Sequence, residues 1–235
     1  MAQPYFTSSL IVIEIVFSIM VLIALKNAVI DDKKKKSLLI TLGIIFTVWL
    51  GGVYTLISTG FFSATGMPQL AFAVAIAIPI LLGLLAQKLW EPLNTALNNM
   101  STESFLALQQ MRAVFGVMFF FTTSLPFWFQ LVGGLGDIAA GIGAFFVLQT
   151  LRGNPDKERL AIIRGNLIGI LDFIIVLNFG LFVVLRTASP DIMFDLIPLY
   201  VVPLFILLHI FSLQKLRVSG NDSSNTTISF ESTSN

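Results

Sequence analysis

Six polar side chains carry whatever chemistry this sequence can do: Glu14, Arg112, Asp137, Asn166, Asp172 and His209. Each is set in a long run of apolar residues, and all but Asn166 are ionisable. An unpaired charge at the centre of a membrane helix costs about 2.5 to 3.5 kcal/mol, so such groups turn toward protein or water and are candidates for a proton, cation or small-solute path. The competing reading is structural: polar groups acting as interhelical glue, worth about 0.6 kcal/mol or a little more per pair.

Spacing favours inward-facing positions. Gly165, Gly169, Asp172, Val176 and Gly180 recur every three or four residues, as do Gly133, Asp137, Gly141 and Ala144. On a helix these are stripes of small residues that let a neighbour pack closely beside the carboxylate. Arg112, Gly116, Thr123 and Phe127 form a third stripe. Counted from the expected helix ends at 1.5 Å per residue, Glu14 and Asp137 lie roughly 9 Å from the outer end, an outer acidic level. Arg112, Asp172 and His209 form an inner mixed level in which Arg112 can neutralise Asp172. Asn166, Asn178 and Gln130 add hydrogen-bonding capacity, and Pro126, Pro198 and Pro203 can free carbonyls.

Several chemistries are excluded or weakened. One histidine, no cysteine and scattered carboxylates do not make a haem or metal ligand set, so no cofactor is expected. No lysine falls inside the last apolar run before Lys215, which disfavours a retinal site. The stretch GLGD, Gly134 to Asp137, resembles the GxGD motif of intramembrane aspartyl proteases. That chemistry needs two carboxylates sharing a proton. Asp172, the other intramembrane aspartate, is expected about 12 Å deeper and follows the motif instead of preceding it, and no PAL sequence occurs downstream. No catalytic residues are therefore assigned.

The elements that must position these groups follow from composition. The chain of 235 residues is 56% apolar and 11% charged, where soluble domains carry about 25% charged residues, and its mean hydropathy is +0.89. It is an integral membrane protein, all-α, whose first partner is the lipid bilayer. A net charge of +1, with the basic residues in short loops and not on one face, gives no case for a nucleic-acid partner. A span needs roughly 20 apolar residues. Seven runs qualify: Ser8 to Val29, Ser37 to Gly60, Pro68 to Leu89, Ser104 to Phe127, Leu131 to Leu151, Leu160 to Leu185 and Ile192 to Leu216. The weakest boundary separates the fourth from the fifth, where TSLPFWFQLVGG holds no charge and only Pro126 and the glycine pair mark a turn.

Under seven spans one side collects Lys26, Lys33 to Lys36, Lys88, Arg152, Lys157, Arg159, Arg164, Lys215 and Arg217, while the other holds only Arg186. Cytoplasmic loops accumulate such residues. The expected topology is a seven-helix bundle over residues 1–217, N-terminus outside and C-terminus cytoplasmic, the first run being a retained helix. From residue 218 to 235 the chain is Ser/Thr/Asn-rich and is expected to be a disordered polar tail. The DDKKKK stretch reads first as a topology anchor, and also suits anionic headgroups.

The segments LPFWFQLVGGLGD, GNLIGILDF and PLYVVPLFILLHIFSLQKL together resemble a set of uncharacterised bacterial multi-pass membrane proteins with an LP…GxGD segment, a later GxxD helix and a proline-rich last helix bearing a histidine. The resemblance covers roughly the C-terminal half. It implies a bacterial inner-membrane protein and attention to Asp137, Asp172, Pro203 and His209, and departs at Gly133 and Gly134, where Pro-Ala-Gly is expected. The functional expectation is ion or small-solute handling. The alternative is a non-catalytic membrane module that binds a protein partner or lipid, its interior charges only structural.

Overall fold

A computed structural model describes residues 4–28, 31–122, 125–153, 158–181 and 195–231, with side chains for 7–28, 31–122, 125–151, 159–181 and 195–216. Apolar runs bounded by lysines, prolines and glycines fold into helices, and no strand occurs among the described residues. The order is α1 (Pro4–Ala28), α2 (Asp32–Ser58), a single turn α3 (Phe61–Ala64), α4 (Pro68–Leu89), α5 (Glu91–Asn99), α6 (Thr102–Gln109), α7 (Arg112–Phe119), α8 (Phe127–Gly153) and α9 (Glu158–Phe179). A π-helical turn, Ile197–Val201, then leads into α10 (Val202–Glu231). Among the described residues six helices are long and apolar enough to cross a membrane: α1, α2, α4, α8, α9 and the last helix from Ile197 to Leu216.

The last helix is the centre of the bundle. Of its most apolar stretch 72% is buried, against 17 to 33% for the other five. Their outward faces, such as Val12, Ile19 and Ile23 on α1 or Leu167, Ile168 and Leu171 on α9, are exposed apolar surface suited to lipid. Inward, Phe17 of α1, Phe115 of α7, Phe173 of α9 and Phe205 of α10 meet with ring centroids 4.6 to 6.3 Å apart, tying four helices into one core.

The apolar run from Ser104 to Phe127 does not form one continuous span. It is broken into α6 and α7, with tight turn bonds from Met111 N–H to Leu108 O and from Ala113 N–H to Gln110 O at the break. A second interruption follows α7, where the Gln130 amide donates to Thr122 O and Leu125 O, satisfying carbonyls that an unbroken helix would have paired internally. α7 ends at Phe119 and α8 begins at Phe127, so Gly133 and Gly134, expected at the turn, are inside α8. There they serve packing. A methyl group added at Gly116 of α7 would lie 2.6 Å from Gly134 O, and one added at Gly133 would lie 2.7 Å from the Phe119 ring.

Two smaller devices fix the ends. Asp31 caps α2, its carboxylate accepting from the N–H groups of Lys33 and Lys34 at 2.9 and 3.2 Å. α5 is amphipathic, burying Leu93, Ala96 and Leu97 while Asn94, Thr95 and Asn98 stay at the edge. Lys215 of α10 donates to Asn98 O, placing a cation at the α5 C-terminus, and Lys34 reaches Glu91 at its N-terminus at 3.0 Å. The backbone of α10 continues helically to Glu231, into the segment where composition leads one to expect disorder.

Candidate functional site

Arg112 opens α7 at the break in the fourth apolar run, and its guanidinium is 1% exposed. The stripes of small residues direct what surrounds it. Gly141 of α8 abuts the backbone of Ala113 and Gln110, so α7 lies flush against α8 and Arg112 meets Asp137. Arg112 Nε donates to Asp137 Oδ1 at 2.8 Å, and Nη2 lies 2.7 Å from the same oxygen. Nη2 also donates to Asp172 Oδ2 of α9, while Nη1 donates to the carbonyl of Gly169 at 3.1 Å. The guanidinium carbon sits 3.9 Å from the centre of the Phe173 ring, a cation–π contact on the face left open by the carboxylates.

Both carboxylates therefore meet on one nitrogen, which overturns the two-level arrangement expected from helix counting. The count failed because α8 begins at Phe127 and not at Leu131, which sets Asp137 ten residues, or about 15 Å, from its helix start. Gly136 completes the approach: a methyl group there would lie 2.0 Å from Asp172 Oδ1, so the residue before Asp137 must be glycine for α9 to bring Asp172 in. The separation raised against a protease pair is gone, but the chemistry still does not fit. Each carboxylate is bonded to the guanidinium between them, whereas an aspartyl pair shares a proton and grips a water. The space beside Asp137 is a cavity of about 30 Å³, far too small for a peptide.

On the lysine-rich side of Arg112 lies a second polar group. Asn166 Nδ2 donates to Ile162 O at 2.8 Å and to Ser212 Oγ at 3.2 Å, which leaves its Oδ1 to accept from His209 Nδ1 at 2.8 Å. His209 is thereby held as the Nδ1–H tautomer with Nε2 a bare acceptor. That nitrogen and both amide atoms of Gln109 are buried and have no hydrogen-bond partner among the described residues. They line a cavity of about 10 Å³ with Arg112, Asn166, Gly169 and Ser212, about the size of one water. A methyl group on Gly169 would fall 2.5 Å from His209 Nε2 and 2.9 Å from Arg112 Nη1, so this glycine lets both side chains reach the α9 backbone.

Of the six residues singled out in the sequence, five converge: Arg112, Asp137 and Asp172 directly, Asn166 and His209 immediately beside them. Glu14 does not join them. It is fully buried on α1, neither carboxyl oxygen has a partner among the described residues, and its main-chain carbonyl accepts from Ser18 Oγ, which contacts Tyr200 Oη at 2.6 Å. Asn178 is exposed and bonds back to Ile174 O, and Phe127 is 70% exposed; Thr123 lies outside the described residues. Sequence reasoning missed Gln109 and Ser212. Each lies three residues from a recognised member of the cluster, Arg112 and His209 respectively, and that helical neighbourhood was the available signal.

Residues 67–217 match the family model described as Domain of unknown function (DUF8737). The chain belongs to the DUF8737 family. No curated protein and no solved structure matches it. The DUF8737 segment takes in α4 to α9 and α10 as far as Arg217, and so contains Arg112, Asp137, Asn166, Asp172 and His209 with all their hydrogen-bond partners; Glu14 falls outside it.

Among the described residues no group of three or more metal-ligating side chains gathers in one place. What the cluster does have is unequal charge. One guanidinium faces two carboxylates, so with both ionised the group carries a net negative charge that a proton or a small monovalent cation can balance.

Proposed function

We propose that this DUF8737 protein moves a proton, or a small cation in its place, across the bilayer through the Arg112 cluster. The observation that carries the reading is the single guanidinium held between Asp137 and Asp172 with a cavity on either side of it. The cavity against Asp137 runs toward the start of the last helix, between Phe129, Val176, Gly180 and Pro198. The other, on the lysine-rich side, is bounded by Gln109, Asn166 and His209. A proton arriving at Asp137 weakens its hold on Arg112, and the guanidinium keeps Asp172 and the Gly169 carbonyl. Release toward His209 Nε2 then restores the starting charges. In this reading α6 and α7 form a fourth, interrupted crossing, which makes seven. The lysine-rich face is cytoplasmic, and the membrane is a bacterial inner membrane.

The test is flux. Purified protein in vesicles with an enclosed pH dye, driven by a potassium diffusion potential, is expected to pass protons faster than protein-free vesicles, and Asp137→Asn or Asp172→Asn to slow this by about tenfold, equivalent to roughly 1.4 kcal/mol in the barrier. Wild-type flux equal to the protein-free background for protons and for a panel of monovalent cations defeats the proposal, as does unchanged flux in both variants.

A second reading has its own support. All three guanidinium nitrogens of Arg112 are bonded, and mutual satisfaction is what a purely structural cluster requires. The protein is then a membrane module that binds a partner or lipid, and the same substitutions change its stability while the vesicles stay tight.

A further inference from the structure

On the lysine-rich side the bundle opens a large cleft that the polar core does not use. Its volume is about 520 Å³, within the range of small-molecule sites, and its lining is hydrocarbon and indole: Phe46 and Trp49 of α2, Leu85 of α4, Trp90, Leu97 of α5 and Phe211 of α10 are representative. The cleft exists because α2 and α4 pack on other elements and not tightly on each other. Gly83 of α4 receives Leu207 of α10, a methyl group there lying 2.5 Å from Leu207 Cδ1, which pins α4 to the central helix. Trp49 donates to the carbonyl of Leu199 at 3.2 Å, which holds α2 against the π-helical turn. The mouth between the two helices faces lipid: Ile45, Leu82, Leu85 and Leu89 line the cleft and are 44 to 72% exposed.

The geometry points to a binding site for an anionic phospholipid, one acyl chain lying in this cleft and the headgroup on the lysines at its mouth. Depth fits a chain from one leaflet. From Leu89 to Pro79 the α4 wall runs ten residues, about 15 Å, which is half of a hydrocarbon core of about 30 Å. Charge selects the headgroup. Five lysines fall at the start of α2 and the end of α4, the two helices that frame the mouth, Lys33 to Lys36 and Lys88, and the ion pair of Lys34 with Glu91, next to the lining residue Trp90, brings the start of α2 to this end of the cleft. Two are engaged, Lys34 with Glu91 and Lys35 with Asp32. Lys33, Lys36 and Lys88 are exposed and have no carboxylate partner among the described residues. On α4, Lys88 follows Leu85 by three residues and so lies on the face that borders the cleft. Trp90, between α4 and α5, supplies an indole at the height where the chain meets its headgroup.

Trp49 and Trp90 make the site its own reporter, because the remaining tryptophan, Trp128, is at the start of α8. Full-length protein carrying Trp128→Phe is placed in phosphatidylcholine vesicles containing equal fractions of brominated phosphatidylglycerol or brominated phosphatidylcholine. The anionic lipid is expected to quench at a concentration about fivefold lower or better, the effect of one well-placed lysine. Lys33→Gln, Lys36→Gln and Lys88→Gln together are expected to bring the two lipids level, and Ala86→Phe, which fills the cleft, to reduce quenching by both. Equal quenching by the two lipids in the parent protein overturns the proposal, and so does a preference that survives loss of the three lysines. If Ala86→Phe fails to fold, the lysine variants, being at exposed positions, still decide.

Discussion

Replacing Arg112 by methionine tests the central arrangement most directly, because it keeps the apolar stem of the side chain and removes the guanidinium that bonds both carboxylates. Two carboxylates then remain buried at one level with nothing between them. Breaking a buried ion pair by removing one partner costs about 3 to 5 kcal/mol, and here a single deletion strips the partner from two groups. The expected loss is at the top of that range or beyond it. The charge balance also predicts a rescue. Asp137→Asn or Asp172→Asn alone leaves one guanidinium with one carboxylate, a neutral pair, and is expected to cost far less than Arg112→Met. Arg112→Met combined with both asparagine substitutions is neutral throughout and is expected to recover most of the loss. Equilibrium unfolding of the purified protein in mixed micelles measures all four. The reasoning is refuted if Arg112→Met is no less stable than Asp172→Asn, or if the triple variant is as unstable as Arg112→Met alone.

Gly136→Ala is expected to destabilise by about 1 to 3 kcal/mol, since its methyl group collides with Asp172 Oδ1; Gly143→Ala on the same helix, where nothing lies within 4 Å, is expected to be neutral or to stabilise by up to about 1 kcal/mol. Thermal unfolding of the pair checks the contrast, and equal effects would contradict it. Glu14→Met is expected to hold or raise stability, by up to roughly 1 to 3 kcal/mol, because it removes two buried oxygens that have no partner among the described residues. A clear loss in the same melt would mean that Glu14 is bonded after all. Pro203 has no N–H to offer the carbonyl of Leu199, four residues earlier, which is why Trp49 Nε1 can take it. Trp49→Phe is therefore expected to cost more in the wild-type chain than in a Pro203→Ala background, by about 1 kcal/mol in a double-mutant cycle, and additivity would refute the link.

The inward stripes were legible because they depend only on helical period. Gly165, Gly169 and Asp172, and Gly133, Asp137 and Gly141, occupy the faces that their spacing assigns them, and every one of these glycines meets a neighbouring element. Depth was not legible to the same degree. It requires knowing where each helix starts, and the start of α8 is concealed: Phe127, Trp128 and Phe129 are as apolar as the residues after them, while Gly133 and Gly134 resemble a turn. The interruption after Gln109 left no mark either. The segment LQQMRAVFG contains no proline, and its only glycine, Gly116, is spent on contact with α8. What breaks the helix there is tertiary. The chain gives up regular bonds around Gln110 and Met111, and Arg112 gains two carboxylates and a carbonyl that no local pattern could announce.

That exchange bears on function as well as on form. A continuous helix through the fourth run would serve equally well if Arg112 were only a strut, since a long side chain can reach a neighbour from any regular turn. A break exposes the main chain beside the charge, and irregular backbone within a membrane persists where protein or a polar cavity covers it. Here it is covered on one side by Gly141, and the small polar cavity of Gln109, Asn166 and His209 opens on the other. The arrangement places His209 Nε2, an acceptor with no partner among the described residues, within the same cavity as the only guanidinium among the described core side chains. An acceptor at that point suits a group that accepts a proton and passes it on. Substituting His209 by asparagine, whose Nδ2 stands where His209 Nδ1 donates to Asn166 Oδ1 but which cannot relay a proton, is expected to leave unfolding nearly unchanged and slow proton flux; a loss of stability with flux intact would assign the histidine to packing.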